Sequence, residues 1–188
     1  MHSIFAFIIG YILGCFNAAY YYAKHSKIDI FASGSGNAGA ANAYRLLGKR
    51  AGVTVFLIDI IKAIIAVLIV TLCCSNVLLA STAAVAVILG HTFPLQLRFR
   101  GGKGVACYIG ALLALLTLKS IIILISLFGL CYAADRFIFK KSYKRVGFIV
   151  LFISLFFVFK DLGYQAGFII LAGFSLIIIK HIFPGKRL

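Results

Sequence analysis

Apolar runs near residues 3–22, 53–73, 77–97, 105–118, 120–134, 147–159 and 164–183 leave little of this chain for water to solvate. A run of about 17–25 apolar residues crosses a hydrocarbon core as a helix, because each N–H and C=O must be satisfied within the segment. The chain has 188 residues and is 63% hydrophobic, where a soluble domain is about half apolar. The pattern predicts an all-α integral membrane fold of about seven transmembrane helices. Removing the spans leaves no soluble domain. Residues 1–188 therefore read as a single polytopic domain with loops at about 24–50, 98–104, 136–146 and 180–188. The first run lacks a basic leader and reads as a retained span rather than a signal peptide. The stretch 105–134 reads either as one long tilted helix or as two short ones broken at Lys119-Ser120.

Charge sets the orientation. Of 19 lysines and arginines, sixteen fall on one side when seven spans start with the N-terminus outside. These are Lys24, Lys27, Arg45, Lys49 and Arg50; Arg98, Arg100 and Lys103; Arg136, Lys140, Lys141, Lys144 and Arg145; and Lys180, Lys186 and Arg187. Lys119 and Lys160 fall outside, and Lys62 lies within a span. The positive-inside bias then puts the C-terminus and the basic loops in the cytoplasm. Fusing 105–134 into one span would move Arg136–Arg145 to the opposite side. The net charge of +15 is spread through short loops in this way and does not predict a nucleic-acid partner.

The first loop reads Ser33-Gly34-Ser35-Gly36-Asn37-Ala38-Gly39-Ala40-Ala41-Asn42, followed shortly by Arg45. Glycines let successive N–H groups converge on phosphate oxygens, and an arginine can add a bidentate clamp. A flexible linker is the plainer reading of the same residues. Gly34-x-Gly36-x-x-Gly39 also matches a dinucleotide fingerprint, but a membrane helix precedes it where a strand is needed. The second loop carries Gly90-His91-Thr92-Phe93-Pro94 and Phe99-Arg100-Gly101-Gly102-Lys103-Gly104. Lys103 between glycines can approach a phosphate unhindered, although its charges could equally be orientation charges. Gly104 stands where a P-loop needs Ser or Thr. His91, at a membrane boundary, reads first as a structural hydrogen-bonder.

Asp59 and Lys62 share one helix face and read as a structural ion pair supporting the glycine loop before them. Cys15, Cys73, Cys74, Cys107 and Cys131 have no metal spacing and read as small hydrophobes. No metal or cofactor is expected. In the third loop Ser142 lies among basic residues suited to anionic lipid heads. His181 closes the last span.

At these loops the chain resembles the bacterial acyl-phosphate:glycerol-3-phosphate acyltransferase family over nearly its full length. Gly34-Ser35-Gly36-Asn37, Gly39-Ala40, Asn42, Arg45, Gly48-Lys49, Asp59 and Lys62 look like that family's first motif. Gly90-His91, Phe93-Pro94 and Phe99-x-Gly101-Gly102-Lys103-Gly104-Val105 look like its second. The resemblance implies seven helices in the bacterial inner membrane with the active face toward the cytoplasm. It implies acyl transfer from acyl-phosphate to glycerol 3-phosphate, giving lysophosphatidic acid. Ser35, Arg45 and Lys103 would carry the reaction. Gly34, Gly36, Asn37, Asn42, His91, Gly101, Gly102, Ser142 and His181 would hold substrate. Two departures stand out. Only Ser142 matches a pair of serines in the third loop, and Pro184 replaces an Asn before the chain closes at Leu188, short of a Gly-x-Glu tail. Two rivals follow: a family member with impaired catalysis, and a small anion transporter.

Overall fold

The computed structural model describes residues 1–137 and 144–182, with side chains at all of these except 128–137, 144–148, 151, 181 and 182. Its elements are α1 (His2–Cys15), α2 (Ala18–His25), α3 (Ala40–Leu47), α4 (Lys49–Cys74), α5 (Val77–Thr92), α6 (Val105–Leu115), α7 (Leu118–Phe137) and α8 (Lys144–Ile182), with one 3-10 turn at Leu95–Leu97. Among the described residues there is no strand. Four helical stretches, 2–25, 49–74, 77–97 and 152–180, are long and apolar enough to cross a membrane. The shorter apolar helices Val105–Leu115 and Leu118–Leu127 lie between the third and fourth.

Breaks in these helices fall where polar side chains can satisfy freed backbone groups. The first apolar run is two helices rather than one. Phe16 is extended, and the Asn17 side chain accepts from the Tyr20 N–H at 2.9 Å to start α2. Residues 105–134 form two helices whose break falls at Leu116–Thr117, earlier than Lys119-Ser120. There the Thr117 N–H and hydroxyl both donate to Asp161 Oδ2, at 3.0 and 2.9 Å. Next to Asp161, α8 breaks at Gly163, whose φ of 78° is left-handed.

Close packing of α1 on α5 sets the rest. A Cβ at Gly10 or Gly14 would strike the carbonyls of Ala83 or Val87, and one at Gly90 would strike Tyr11. In lipid, where apolar burial drives little association, such small residues let helices gain dispersion and near-backbone contact. α4 crosses α6 in the same way, at Gly110 against Ile60 and Ala63. Tyr108, Val87, Ile88, Ile170, Phe174 and Ile177 fill the core between α5, α6 and α8. The outer faces stay apolar: Ile4, Ile8 and Ile12 on α1, Leu57 and Ile61 on α4, and Phe152 and Phe156 on α8 are exposed. The 26 residues of α4 span about 39 Å. The turn at 75–76 is thus far from the loops at 26–39 and 93–104, which share the other end.

Candidate active site

The first loop is shaped by a carboxylate and an amide side chain. Asp29 Oδ1 accepts from the N–H groups of Phe31 and Ala32, at 2.8 and 3.2 Å, turning the chain after α2. Gly34 and Gly36 then adopt φ of 62° and 65°, a left-handed conformation that glycine takes without steric penalty. Asn42 lies beneath them, 1% exposed. Its Nδ2 donates to the carbonyls of Ile30 and Ser33, at 3.2 and 3.1 Å, and its Oδ1 accepts from the Ser35 N–H at 2.9 Å. Both amide hydrogens of Asn42 are thus committed to the loop, so its contribution is to loop shape. Ser35 is left exposed on the loop, Asn37 is half-buried, and Arg45 projects from the second turn of α3.

Backbone pairing shapes the second loop. After α5 the chain turns through Pro94 and the 3-10 segment. It then folds back so that the N–H groups of Gly101 and Gly102 donate to Thr92 and His91 carbonyls, at 3.1 and 3.0 Å. This return leaves no room for side chains. A Cβ at Gly101 would lie 2.6 Å from Pro94 Cδ, and one at Gly102 would overlap the His91 ring and come within 2.9 Å of the Ala38 carbonyl. The two loops therefore touch at Gly102. Arg100, 4.6 Å over the Phe31 ring, adds a second contact between them.

Lys103 is half-buried beside this junction, and Arg45 is close enough to repel it. Burial first, and then the Arg45 charge, hold the Lys103 ammonium below the ordinary lysine range. Two cations from different loops held near each other make a receptor for an anion, since a bound phosphate would relieve their repulsion.

Underneath lies a buried polar cluster. The Asp59–Lys62 pair forms as the helical spacing predicts, at 2.8 Å. His91 completes it, with Nδ1 3.3 Å from Asp59 Oδ1 and 2.9 Å from Lys62 Nζ. His91 is 3% exposed and packs beneath Gly102, so it meets the second loop from below. Ligand atoms of Asp59, His91 and Cys107 lie within 4.8 Å of one another, a spacing a metal could bridge. The Lys62 ammonium already sits against both Asp59 and His91, where such an ion would bind.

Sequence reasoning missed Asn17, which is fully buried and donates through Nδ2 to the Ala38 carbonyl at 3.0 Å. The available signal was a lone amide within an apolar run, at a spot where a helix could be capped. Lys180 Nζ lies 4.8 Å over the Phe93 ring, bringing the end of α8 to the second loop. The His181 side chain and all of Ser142 lie outside the described residues. A cavity of about 380 Å³ opens along α6 from Val105, through Ile109 and Leu112, to Leu116 and Ile121, with Ser154 on its wall.

These features define a multi-pass helical membrane protein with a cation-flanked glycine-loop site at one end of its bundle. The chain belongs to the glycerol-3-phosphate acyltransferase family, whose model matches residues 4–188. A glycerol-3-phosphate acyltransferase of Thermoanaerobacter sp. (strain X514) is 43% identical over 125 residues, which span 66% of this chain and 63% of that relative. One from Endomicrobium trichonymphae is 38% identical over 189 residues, covering 99% of this chain and 92% of the relative. The fold is similar to that of PlsY (YgiH), an integral membrane glycerol 3-phosphate acyltransferase solved in two forms. With the glycerol 3-phosphate form the TM-score is 0.83 at 27% identity, over 98% of this chain and 90% of that one. With the lysophosphatidic acid form it is 0.80 at 28% identity, over 96% and 88%.

Proposed function

We propose that this chain transfers a fatty acyl group from acyl-phosphate to glycerol 3-phosphate, giving lysophosphatidic acid. The observation that carries the reading is the meeting of Arg45 and Lys103 above two glycine loops that pack on each other, in a chain of this family. Ser35, Asn37 and the loop N–H groups, with Arg45, hold the glycerol phosphate, and Lys103 takes phosphate from the other side. Ser142 and His181 complete the substrate contacts. In the reaction the glycerol hydroxyl attacks the acyl carbonyl carbon, the bond from that carbon to the phosphate oxygen breaks, and inorganic phosphate leaves. The mixed anhydride already has a good leaving group, so no covalent enzyme intermediate is required. The hydroxyl proton passes to a substrate phosphate oxygen. Asp29 is engaged by the backbone of its own turn, and Asp59 is buried and paired with Lys62. Holding both reactants can contribute about 7–11 kcal/mol through proximity alone.

The acyl chain lies along α6 in the apolar cavity that starts at Val105, two residues from Lys103. The whole chain forms one membrane domain of seven spans in a bacterial inner membrane. Its N-terminus is outside, and its C-terminus and the loops at about 24–50, 98–104, 136–146 and 180–188 are cytoplasmic. The charge distribution supports this orientation, and the breaks at Leu116–Thr117 and Gly163 support the span count. Purified protein given acyl-phosphate and glycerol 3-phosphate should release lysophosphatidic acid and inorganic phosphate. Movement of anions across vesicles without product would sink the reading in favour of a transporter.

A further inference from the structure

Lys62 lies 6% exposed in the middle of α4, and none of the steps above uses it. Its ammonium donates to the carbonyls of Gly14 and Phe16, at 3.2 and 2.7 Å. The first is a last-turn carbonyl of α1 and the second belongs to its C-cap, where backbone acceptors lack a helical partner. The next residue, Asn17, reaches the first glycine loop through its bond to the Ala38 carbonyl. On its other side the ammonium contacts Asp59 and His91. The His91 carbonyl holds the Gly102 N–H of the second loop, and Gly102 packs against Ala38. The contacts close into a ring that runs Lys62, Phe16, Asn17, Ala38, Gly102, His91 and back to Lys62.

We propose that Lys62 is a positioning residue that fixes the spacing between the two phosphate-holding loops. The inference rests on the acyl-transfer reading of those loops. A ring of this kind resists shear. Moving either loop relative to the other must stretch a bond to a buried ammonium, whose charge is costly to leave unpaired. The spacing of the loops is the spacing of the two substrates, and a displacement near 1 Å can lower a rate by about 100-fold. Lys62 touches neither substrate, so its loss should leave each phosphate contact in place while spoiling their mutual placement.

The test compares Lys62→Met, which fills the space without donors, with Lys62→Gln, which keeps an N–H donor for the α1 carbonyls. For Lys62→Met we expect kcat to fall by about tenfold or more while both KM values stay within about threefold. Amide hydrogen exchange should speed up in residues 33–42 and in 98–104, with the helices still protected. Lys62→Gln should recover much of both. Asn17→Ala, which opens the ring on the first-loop side and also removes the α2 cap, should loosen 33–42 and leave 98–104 protected. Wild-type kcat and exchange in Lys62→Met would overturn the proposal. So would a rise in KM alone, or exchange that rises evenly along all the helices. If Lys62→Met cannot be recovered folded, Lys62→Gln and Asn17→Ala decide: unprotected loops in the first, or no change in the second, overturn it. A wild-type protein that makes no lysophosphatidic acid would sink the acyl-transfer reading, and the exchange comparison would still judge the ring.

Discussion

The two loops at the active end use glycine for opposite reasons. In the first, Gly34 and Gly36 turn the backbone into left-handed conformations, and the Asn42 amide beneath and the Asp29 carboxylate before them hold the result. In the second, Gly101 and Gly102 are needed for space, because the segment folding back onto the end of α5 lies against His91, Thr92 and Pro94. One loop is held by side chains that can be removed singly. The other is held by backbone pairing and has no slack. The first should therefore fail by degrees under substitution and the second abruptly.

The largest expected effect is at the contact between them. In Gly102→Ala the new methyl group would have to displace the His91 ring or the Ala38 carbonyl. Overpacking of this kind typically destabilises by about 1–3 kcal/mol, and displacing both loops should lower turnover by about 100-fold. Thermal unfolding and an acyl-transfer assay on the same preparation would check both parts. Turnover within threefold of wild type would mean that the second loop has the slack denied to it here.

Removal of a charge comes next. Arg45→Ala and Lys103→Ala should each cost the proposed charged hydrogen bond to a phosphate, worth about 1.5–3 kcal/mol, or roughly 10- to 150-fold in kcat/KM. The folded protein should be extracted at wild-type yield, since Arg45 is exposed and Lys103 half-buried. Near-normal kcat/KM in either variant would remove that residue from the site. Asn42→Ala should have a smaller effect, about tenfold and mainly in KM for glycerol 3-phosphate. It strips three bonds from the first loop but leaves the second loop and both cations in place. An equal loss in kcat would show that the first loop is as rigidly coupled to the chemistry as the second.

Much of this was legible from residue types. Apolar runs marked the helices, and clustered glycines, Arg45 and Lys103 marked the loops, because those features depend on local composition. What depended on distant partners was not legible. Gly102 meets Ala38 across more than sixty residues of chain, and nothing in either loop's sequence announces it. Asn42 looks like a ligand in a glycine-rich stretch, since sequence does not say which way an amide points. The α6–α7 break falls at Leu116–Thr117 because Asp161, some forty residues later, can hold the Thr117 N–H and hydroxyl. The visible charge at Lys119 drew the boundary to the wrong turn.

The smallest expected effect tests whether the Arg45 and Lys103 charges act on each other where the two loops meet. Burial and the neighbouring Arg45 charge lower the Lys103 pKa below its usual value, so its ammonium is lost at a lower pH than that of an ordinary lysine. If Lys103 holds phosphate only when charged, kcat/KM should fall on the alkaline side, with a midpoint below about 10.5. The substrate phosphate does not account for such a limb, since a phosphomonoester completes its second ionisation near pH 6. Bound phosphate favours the charged lysine, so the limb in kcat should lie higher than the limb in kcat/KM. Arg45→Ala removes a repelling charge. Although it lowers the rate, it should move the alkaline limb of kcat/KM upward, toward the ordinary lysine range. Lys103→Arg, whatever its rate, should show no such limb, because guanidinium stays charged throughout. A limb that stays in place in Arg45→Ala would mean that Lys103 does not feel the Arg45 charge across the junction of the loops.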